Sequence, residues 1–160
     1  MKIGFIGLGN MARAMIGGML QKEMVKPEEI IGSAKTRETR EKMAAEYGIV
    51  TMEKNADVAA QADMLVLAVK PQFFEEVIHE IKDATRPETL IISIAAGKSI
   101  QWIEDAFARP VKLVRCMPNT PALVGEGCTG VCANAKVSEE EKNSSIKLME
   151  SFGKASLVPE

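Results

Sequence analysis

The first dozen residues constrain the fold of this chain more than any other stretch. Residues 2–6 are apolar enough to form a short buried strand, and Gly7, Gly9 and Ala12 follow in a Gly-x-Gly-x-x-Ala pattern. Methionine, isoleucine and leucine then recur at helical spacing, which predicts a helix directly after the glycines. A strand, a tight glycine turn and a helix in this order form the fingerprint of a dinucleotide-binding site.

Each small residue of this pattern has its own physical role at such a site. Gly7 permits a sharp turn, because a residue without Cβ reaches backbone angles that other residues avoid. Gly9 lets the main chain approach a pyrophosphate, and Ala12 lets the helix pack closely on the strand. The helix N-terminus offers unpaired N–H groups and about half a positive charge to the phosphates. The alternative is a plain strand–turn–helix corner without a ligand.

Further apolar runs predict that the sheet continues along the whole chain. We expect strands at residues 30–34, 49–52, 64–69, 89–94, 111–116, 128–133 and 155–158. Stretches with helical spacing separate most of these runs, so crossover connections and a mostly parallel sheet are expected. The prediction is an α/β fold of the Rossmann type: a doubly wound, mostly parallel sheet of about eight strands in a single domain over residues 1–160.

Composition excludes several classes of partner. The chain is 46% hydrophobic and 26% charged with a net charge of −2, so neither a nucleic acid nor an anionic membrane is expected as its partner. No apolar run approaches the roughly 20 residues of a membrane span. The first residues read as a strand and lack the pattern of a signal peptide. A cytoplasmic location is therefore expected.

The cysteines and the histidine do not have the spacing of a metal site. Cys116, Cys128 and Cys132 form no Cys-x-x-Cys pair, and His79 is the only histidine. No metal is therefore expected. We expect the cysteines to be small buried residues of a protein in a reducing compartment.

The end of the predicted second strand carries information about the cofactor. An acidic residue at this point hydrogen-bonds the ribose 2′-hydroxyl of NAD. This chain instead has Ser33, Lys35, Thr36 and Arg37, with no acid before Glu38. Hydroxyls and cations suit a 2′-phosphate, which an acid would repel, so NADP(H) is favoured over NAD(H). The alternative is that the two cations lie on a solvated helix start.

Other strand ends lie at the same edge of a parallel sheet, where ligands bind. Val69, Lys70 and Pro71 follow a continuous apolar run and are expected where a cofactor would pass. Lys70 is expected to have a structural or cofactor-edge role; the alternative is a proton donor or carboxylate binder. Asn55 is expected to cap a helix, and its side chain could also face the cofactor.

Three motifs occur in one order along the chain. They are Gly7-Leu8-Gly9-Asn10-Met11-Ala12, Ala68-Val69-Lys70-Pro71 and Met117-Pro118-Asn119-Thr120-Pro121. Many dehydrogenases share the first motif, whereas the other two are more discriminating. Together, at matching spacing over the whole chain, they resemble pyrroline-5-carboxylate reductase, the last enzyme of proline biosynthesis.

The resemblance implies NAD(P)H-dependent reduction of the cyclic imine 1-pyrroline-5-carboxylate to L-proline. The implied partners are thus a nicotinamide cofactor and a small cyclic imino acid. The implied cofactor contacts are Ile6, Gly7, Leu8, Gly9, Asn10, Met11, Ser33, Asn55, Ala68, Val69, Lys70, Pro71, Ala95, Ala96 and Gly97. The residues implied to lie near the nicotinamide and the substrate are Met117, Pro118, Asn119 and Thr120.

The resemblance also implies what this chain lacks. Members of the family carry a C-terminal helical domain that forms the homo-oligomer and supplies most of the substrate site. The chain ends where that domain should begin, so we expect an isolated cofactor-binding domain with no catalytic residue of its own and little or no activity. Two alternatives remain: a 3-hydroxyacid-type dehydrogenase domain, which often opens with a similar Gly-Leu-Gly-x-Met sequence, and a non-catalytic NADP(H)-binding module.

Overall fold

The fold is built on one eight-stranded sheet, and the computed structural model describes residues 1–117 and 127–160. The strands are Ile3–Ile6 (β1), Ile30–Ser33 (β2), Val50–Met52 (β3), Met64–Leu67 (β4), Leu90–Ser93 (β5), Lys112–Met117 (β6), Gly127–Ala133 (β7) and Gly153–Leu157 (β8). The helices are Asn10–Gln21 (α1), Arg37–Tyr47 (α2), Asn55–Gln61 (α3), Phe74–Ile81 (α4), Ile100–Phe107 (α5) and Glu139–Glu150 (α6). The 3-10 turns Pro27–Glu29 and Pro71–Phe73 precede β2 and α4.

The strands lie in the order β3-β2-β1-β4-β5-β6-β7-β8. The first six are parallel, β7 runs antiparallel to β6, and β8 runs parallel to β7. The chain reverses its direction of winding at β1, which pairs with β2 on one side and with β4 on the other. Ligand crevices form at such switch points, beyond the carboxyl ends of the strands. The predicted doubly wound, mostly parallel sheet of about eight strands is confirmed.

Helices cover both faces of the sheet and bury two apolar layers. Ile3 and Phe5 of β1 pack in one layer with residues of α1 and α6, whereas Ile6 packs in the other layer with residues of α3, α4 and α5. All residues of β1, β2, β4 and β5 are buried. Because strands covered on both faces need apolar side chains at every position, they appear in the sequence as continuous apolar runs.

Membrane-spanning segments are not found: within residues 1–117 and 127–160, none of the helices combines the length and the apolar character that crossing a bilayer requires.

Several helix ends have local signals in the sequence. The hydroxyl of Ser99 accepts from the N–H of Trp102 at 3.0 Å, so Ser99 caps α5. Ser138 and Glu141 form a capping box at the start of α6. Gly48 ends α2 with a φ of 73°, a conformation that glycine adopts without strain.

The N-cap role predicted for Asn55 is wrong. The helix α3 begins at Asn55 itself, and the capping position belongs to Lys54, whose side chain makes no capping hydrogen bond. The carboxamide of Asn55 instead bonds outside the helix, to Ser33 and Glu80. A side chain with both polar ends engaged in this way is not available to cap its own helix.

Gly18 permits a close helix contact. A Cβ added at Gly18 would lie 2.6 Å from the carbonyl oxygen of Ser151, which follows α6. A Cβ added at the neighbouring Gly17 would meet only the ring of Tyr47, at an ordinary 3.6 Å. Glycine costs a helix about 1 kcal/mol relative to alanine, so two adjacent glycines need a reason. The packing of α1 against the end of α6 supplies that reason for Gly18.

We therefore expect opposite effects from alanine at these two positions. Gly18→Ala lowers the free energy of unfolding by about 1–3 kcal/mol, because its methyl group collides with backbone atoms that cannot rotate away. Gly17→Ala leaves stability unchanged or raises it by up to about 1 kcal/mol. Urea unfolding followed by circular dichroism measures both. Equal stability of the two variants would contradict the proposed packing.

Candidate functional site

A cleft of about 390 Å³ lies at the carboxyl edge of the sheet, where β1, β2 and β4 end. It therefore occupies the switch point of the sheet. Residues from the segments that follow these three strands line it, together with one face of α4. The lining residues are Gly7, Leu8, Gly9, Ser33, Ala34, Lys35, Thr36, Thr39, Asn55, Ala68, Val69, Lys70, Phe73, Glu76, Val77 and Glu80.

The turn after β1 depends on Gly7. This residue has a φ of +98°, in the left-handed region that favours glycine. An added Cβ would lie 3.0 Å from the carbonyl oxygen of Ala68, so space and backbone conformation both require glycine here. The N–H of Gly7 donates to the carbonyl oxygen of Ser33 at 3.0 Å, which ties the turn to the end of β2.

Gly9 opens the space in front of α1. It occupies the N-cap position with extended backbone, and no side chain of the described residues caps this helix. A Cβ added at Gly9 would meet no atom within 4 Å, and the first turn of α1 contains no acidic residue. The first N–H groups of α1 are thus directed at open space with the positive end of the helix dipole behind them. Such a terminus fits a pyrophosphate.

Some neighbouring residues of the glycine motif do not line the cleft. Ala12 is buried and packs in the core beneath α1, as its small size predicted. Ile6 is fully buried below the turn, so its side chain is part of the core. Asn10 is exposed and Met11 is half-buried, and neither lines the cleft.

The segment between β2 and α2 forms one wall of the cleft. The ammonium group of Lys35 lies 4.3 Å from the centre of the Phe73 ring, which belongs to the opposite wall. Arg40 donates from Nη1 to the carbonyl oxygens of Ala34 and Lys35, at 2.8 and 3.3 Å, and so holds the segment in place. No sequence motif marked Arg40 as part of the site. It lies in the first turn of α2, which begins at Arg37.

Arg37 lies outside the cleft. Its side chain is 82% exposed, and its Nε donates to Glu41 Oε1 at 2.8 Å, one turn further along α2. Lys35 and Thr36, in contrast, both line the cleft. A cofactor role for Arg37 therefore stays a prediction, while the same role for Lys35 agrees with its position.

A chain of hydrogen bonds crosses the cleft from β2 to α4. The hydroxyl of Ser33, the last residue of β2, donates to Asn55 Oδ1 at 2.7 Å, and Asn55 Nδ2 donates to Glu80 Oε2 at 3.3 Å. Ser33 itself is fully buried, so its hydroxyl acts on the cleft through Asn55. We call these three residues the Ser33–Asn55–Glu80 relay.

One face of the α4 segment was missed as a wall of the site. Phe73, Glu76, Val77 and Glu80 recur at the i, i+3, i+4, i+7 spacing that places side chains on one helix face. The apolar members have the spacing of a core face, so nothing in the sequence marks them or the two glutamates as lining residues. The cleft consequently contains two lysines, Lys35 and Lys70, and two glutamates.

The remaining predicted site residues lie along the same edge but outside this cleft. Pro71 begins the 3-10 turn before α4, and Ala95, Ala96 and Gly97 follow β5; none of them lines the cleft. Met117, the last residue of β6, is 52% exposed. The predicted substrate-proximal residues Pro118, Asn119 and Thr120 lie outside the described residues.

The fold and this cleft define a Rossmann domain of the dinucleotide-binding oxidoreductase class. Residues 2–97, more than half of the chain, match the family model described as NADP oxidoreductase, coenzyme F420-dependent. The chain belongs to this family. Comparison with individual proteins gives a more specific result, which agrees with the resemblance indicated by the three motifs.

The relatives are pyrroline-5-carboxylate reductases. The protein of this name from Pseudomonas aeruginosa is 43% identical over 95% of this chain and 55% of its own length. A solved structure of a pyrroline-5-carboxylate reductase from Coxiella burnetii superposes with a TM-score of 0.95 at 34% identity, covering 99% of this chain and 59% of that one. The Plasmodium falciparum enzyme, solved with NADP bound, has a TM-score of 0.88 at 31% identity, covering 99% and 58%. This chain thus spans somewhat over half the length of the relatives that it matches.

Gly9→Ala is expected to weaken dinucleotide binding without changing the stability of the fold. The added methyl group meets no protein atom, so the free energy of unfolding stays the same, but it occupies the space where a pyrophosphate would lie. We expect the affinity for a dinucleotide such as NADPH to fall at least tenfold. Fluorescence titration with NADPH measures this, and Gly17→Ala, on the same helix but outside the cleft, is the control. Wild-type affinity in Gly9→Ala would exclude a phosphate at this helix terminus.

Proposed function

We propose that this chain is the cofactor-binding part of a pyrroline-5-carboxylate reductase, which reduces 1-pyrroline-5-carboxylate to L-proline with a nicotinamide cofactor. The observation that carries the proposal is the uncapped N-terminus of α1 behind Gly9, at the switch point of the sheet. The names of the relatives support this substrate over a 3-hydroxy acid. The two discriminating motifs in the sequence support it independently.

The residues of the cleft fit the tasks that this reaction sets for the protein. The reduced nicotinamide, when bound, supplies a hydride to the imine carbon, and the ring nitrogen carries the proton in the product. The protein must therefore bind and orient the reactants rather than provide a nucleophile. Gly7 and Gly9 shape the phosphate site, and the segment Ala68 to Pro71 borders the path toward the carboxyl edge of β4. Lys70 is exposed at this border and suits a contact with the cofactor.

The rest of the substrate site is part of the same proposal. We propose that Met117, Pro118, Asn119 and Thr120 approach the nicotinamide and the imine, and that the helical, oligomer-forming domain implied by the resemblance completes the site. We further propose that the protein works in the cytoplasm. The free cysteines Cys116 and Cys132 fit a reducing compartment.

We propose NADP(H) as the preferred cofactor. Lys35 and Thr36 place a cation and a hydroxyl at the end of β2, and the segment contains no acid before Glu38. A 2′-phosphate would find a charge-assisted partner in Lys35, which is held loosely over Phe73 by a cation–π contact.

Comparison of Lys35→Ala with Arg37→Ala tests this preference. We expect Lys35→Ala to weaken NADPH binding about tenfold and to leave NADH binding nearly unchanged, because only NADPH carries the 2′-phosphate. Arg37→Ala is the matched control: it removes the same charge from a side chain that points into solvent, and its effect is smaller. Titration of both variants with both cofactors measures the four affinities. Equal losses for NADPH and NADH in Lys35→Ala would contradict a phosphate contact.

Binding and turnover together distinguish the proposed enzyme from the alternatives. The chain is expected to bind NADPH with a dissociation constant below about 1 mM. Oxidation of NADPH on addition of 1-pyrroline-5-carboxylate, with proline as the product, is expected to be slow or absent with this chain alone, because a further domain is proposed to complete the substrate site. Turnover at an ordinary enzymatic rate, on the order of 1 s⁻¹ or more, would show instead that this chain holds the whole substrate site. Oxidation of a 3-hydroxy acid with NADP⁺ would instead favour the dehydrogenase alternative. Failure to bind either cofactor would contradict the proposal as a whole.

A further inference from the structure

A carboxylate from another part of the fold lies near the end of β2, where the sequence has no acidic residue. In sites that bind NAD, an acidic residue at the end of the second strand contacts the ribose and disfavours a 2′-phosphate. Ser33 holds the last position of β2 here, and the following segment brings no carboxylate into the cleft. Glu80 of α4 does line the cleft, and it is linked to Ser33 through a single intervening side chain.

The Ser33–Asn55–Glu80 relay fixes both Asn55 and Glu80 at this end of the cleft. A carboxylate can only accept hydrogen bonds, so the amide nitrogen of Asn55 must face Glu80 and its carbonyl oxygen must face Ser33. Ser33 is fully buried, and its carbonyl oxygen accepts from the N–H of Gly7. The relay thereby links the exposed side chain of Glu80 to the buried end of β2.

The charge of Glu80 is not neutralised by an ion pair. None of the salt bridges between described residues includes Glu80, although Glu41, Glu46, Asp63, Glu88 and others of the acidic residues are paired. Lys35 contacts the ring of Phe73 in the same cleft rather than this carboxylate. A fixed carboxylate without a cationic partner repels a second anion close to it.

We propose that Glu80 is a specificity-determining residue, which opposes the 2′-phosphate of NADP(H) and so keeps the preference for NADP(H) over NAD(H) small. Asn55 is the positioning residue through which the carboxylate is held at the end of β2. The inference rests on the proposed function, because it requires a nicotinamide cofactor in this cleft. In this proposal Lys35 attracts the 2′-phosphate and Glu80 repels it, and the two opposing effects set the preference between the cofactors. Lys35 follows β2, whereas Glu80 lies on α4.

The test compares Glu80→Gln with Glu75→Gln. Glutamine keeps the shape of Glu80 and an oxygen that accepts from Asn55, so mainly the charge changes. Glu75 belongs to the same helix but lines a separate groove with His79 and Trp102, so its substitution is a matched change of charge outside the cleft. We expect Glu80→Gln to shift the ratio of the NADPH and NADH affinities about threefold to tenfold toward NADPH, with the affinity for NADH nearly constant. Glu75→Gln is expected to leave the ratio at the wild-type value.

Two further measurements separate a charge effect from a structural one. The shift in Glu80→Gln should shrink as ionic strength rises, because salt screens repulsion between partly exposed charges. In an Asn55→Ala background the same substitution should have a smaller effect, since Glu80 is no longer anchored. An unchanged ratio in Glu80→Gln, equal shifts in the two glutamine variants, or equal changes for both cofactors would overturn the inference. A wild-type chain that binds neither cofactor would instead overturn the proposed function, and this inference with it.

Discussion

The unpaired N–H groups at the start of α1 are the feature on which the rest of the site depends. They are available because Gly9 has no side chain with which to cap the helix and because the first turn contains no acid. Their direction is set by the turn at Gly7, whose N–H is bonded to the end of β2. This glycine turn requires β1 to lie between β2 and β4. The strand order of the sheet therefore determines where an anion would bind.

The selectivity that we propose for the cleft involves other residues than the glycine turn and the start of α1. The glycine turn and the helix terminus suit any dinucleotide, because pyrophosphate is common to all of them. Side chains from the crossovers after β2 and β4 surround the far end: Lys35 and Thr36 on one wall, and Phe73 and Glu80 on the other. A small change of charge in either crossover can therefore alter cofactor preference without disturbing the phosphate site. The two functions are carried by different segments because the site is formed by loops that follow separate strands of the sheet.

Much of the fold could be predicted from the sequence, because the local signals agree with one another. Continuous apolar runs identify strands covered on both faces, and Ser99, Ser138 and Gly48 end helices through contacts within a few residues. The part of the site that comes from such local patterns, above all Gly7 and Gly9, was predicted with it. Asn55 was predicted as a cofactor contact and does line the cleft. The position of Glu80 and the hydrogen bonds of Asn55 to Ser33 and Glu80 were not predicted, because these bonds join residues 22 and 25 positions apart. Phe73 has helical spacing that equally suits a core face, and only the packing of α4 shows that this face borders the cleft.

The proposed site requires a dinucleotide phosphate at the N-terminus of α1. An NMR titration of the ¹⁵N-labelled chain with NADP⁺, observing backbone amides, tests this placement. Backbone N–H groups of the first turn of α1 would donate hydrogen bonds to the phosphate oxygens. The largest chemical-shift changes are therefore expected at Asn10, Met11 and Ala12, with further changes at Lys35 and Thr36. The amide resonances of residues near the groove of Glu75 and His79 should keep their chemical shifts. Saturable binding with no shift at Asn10 to Ala12 would show that the cofactor lies elsewhere and would contradict the account.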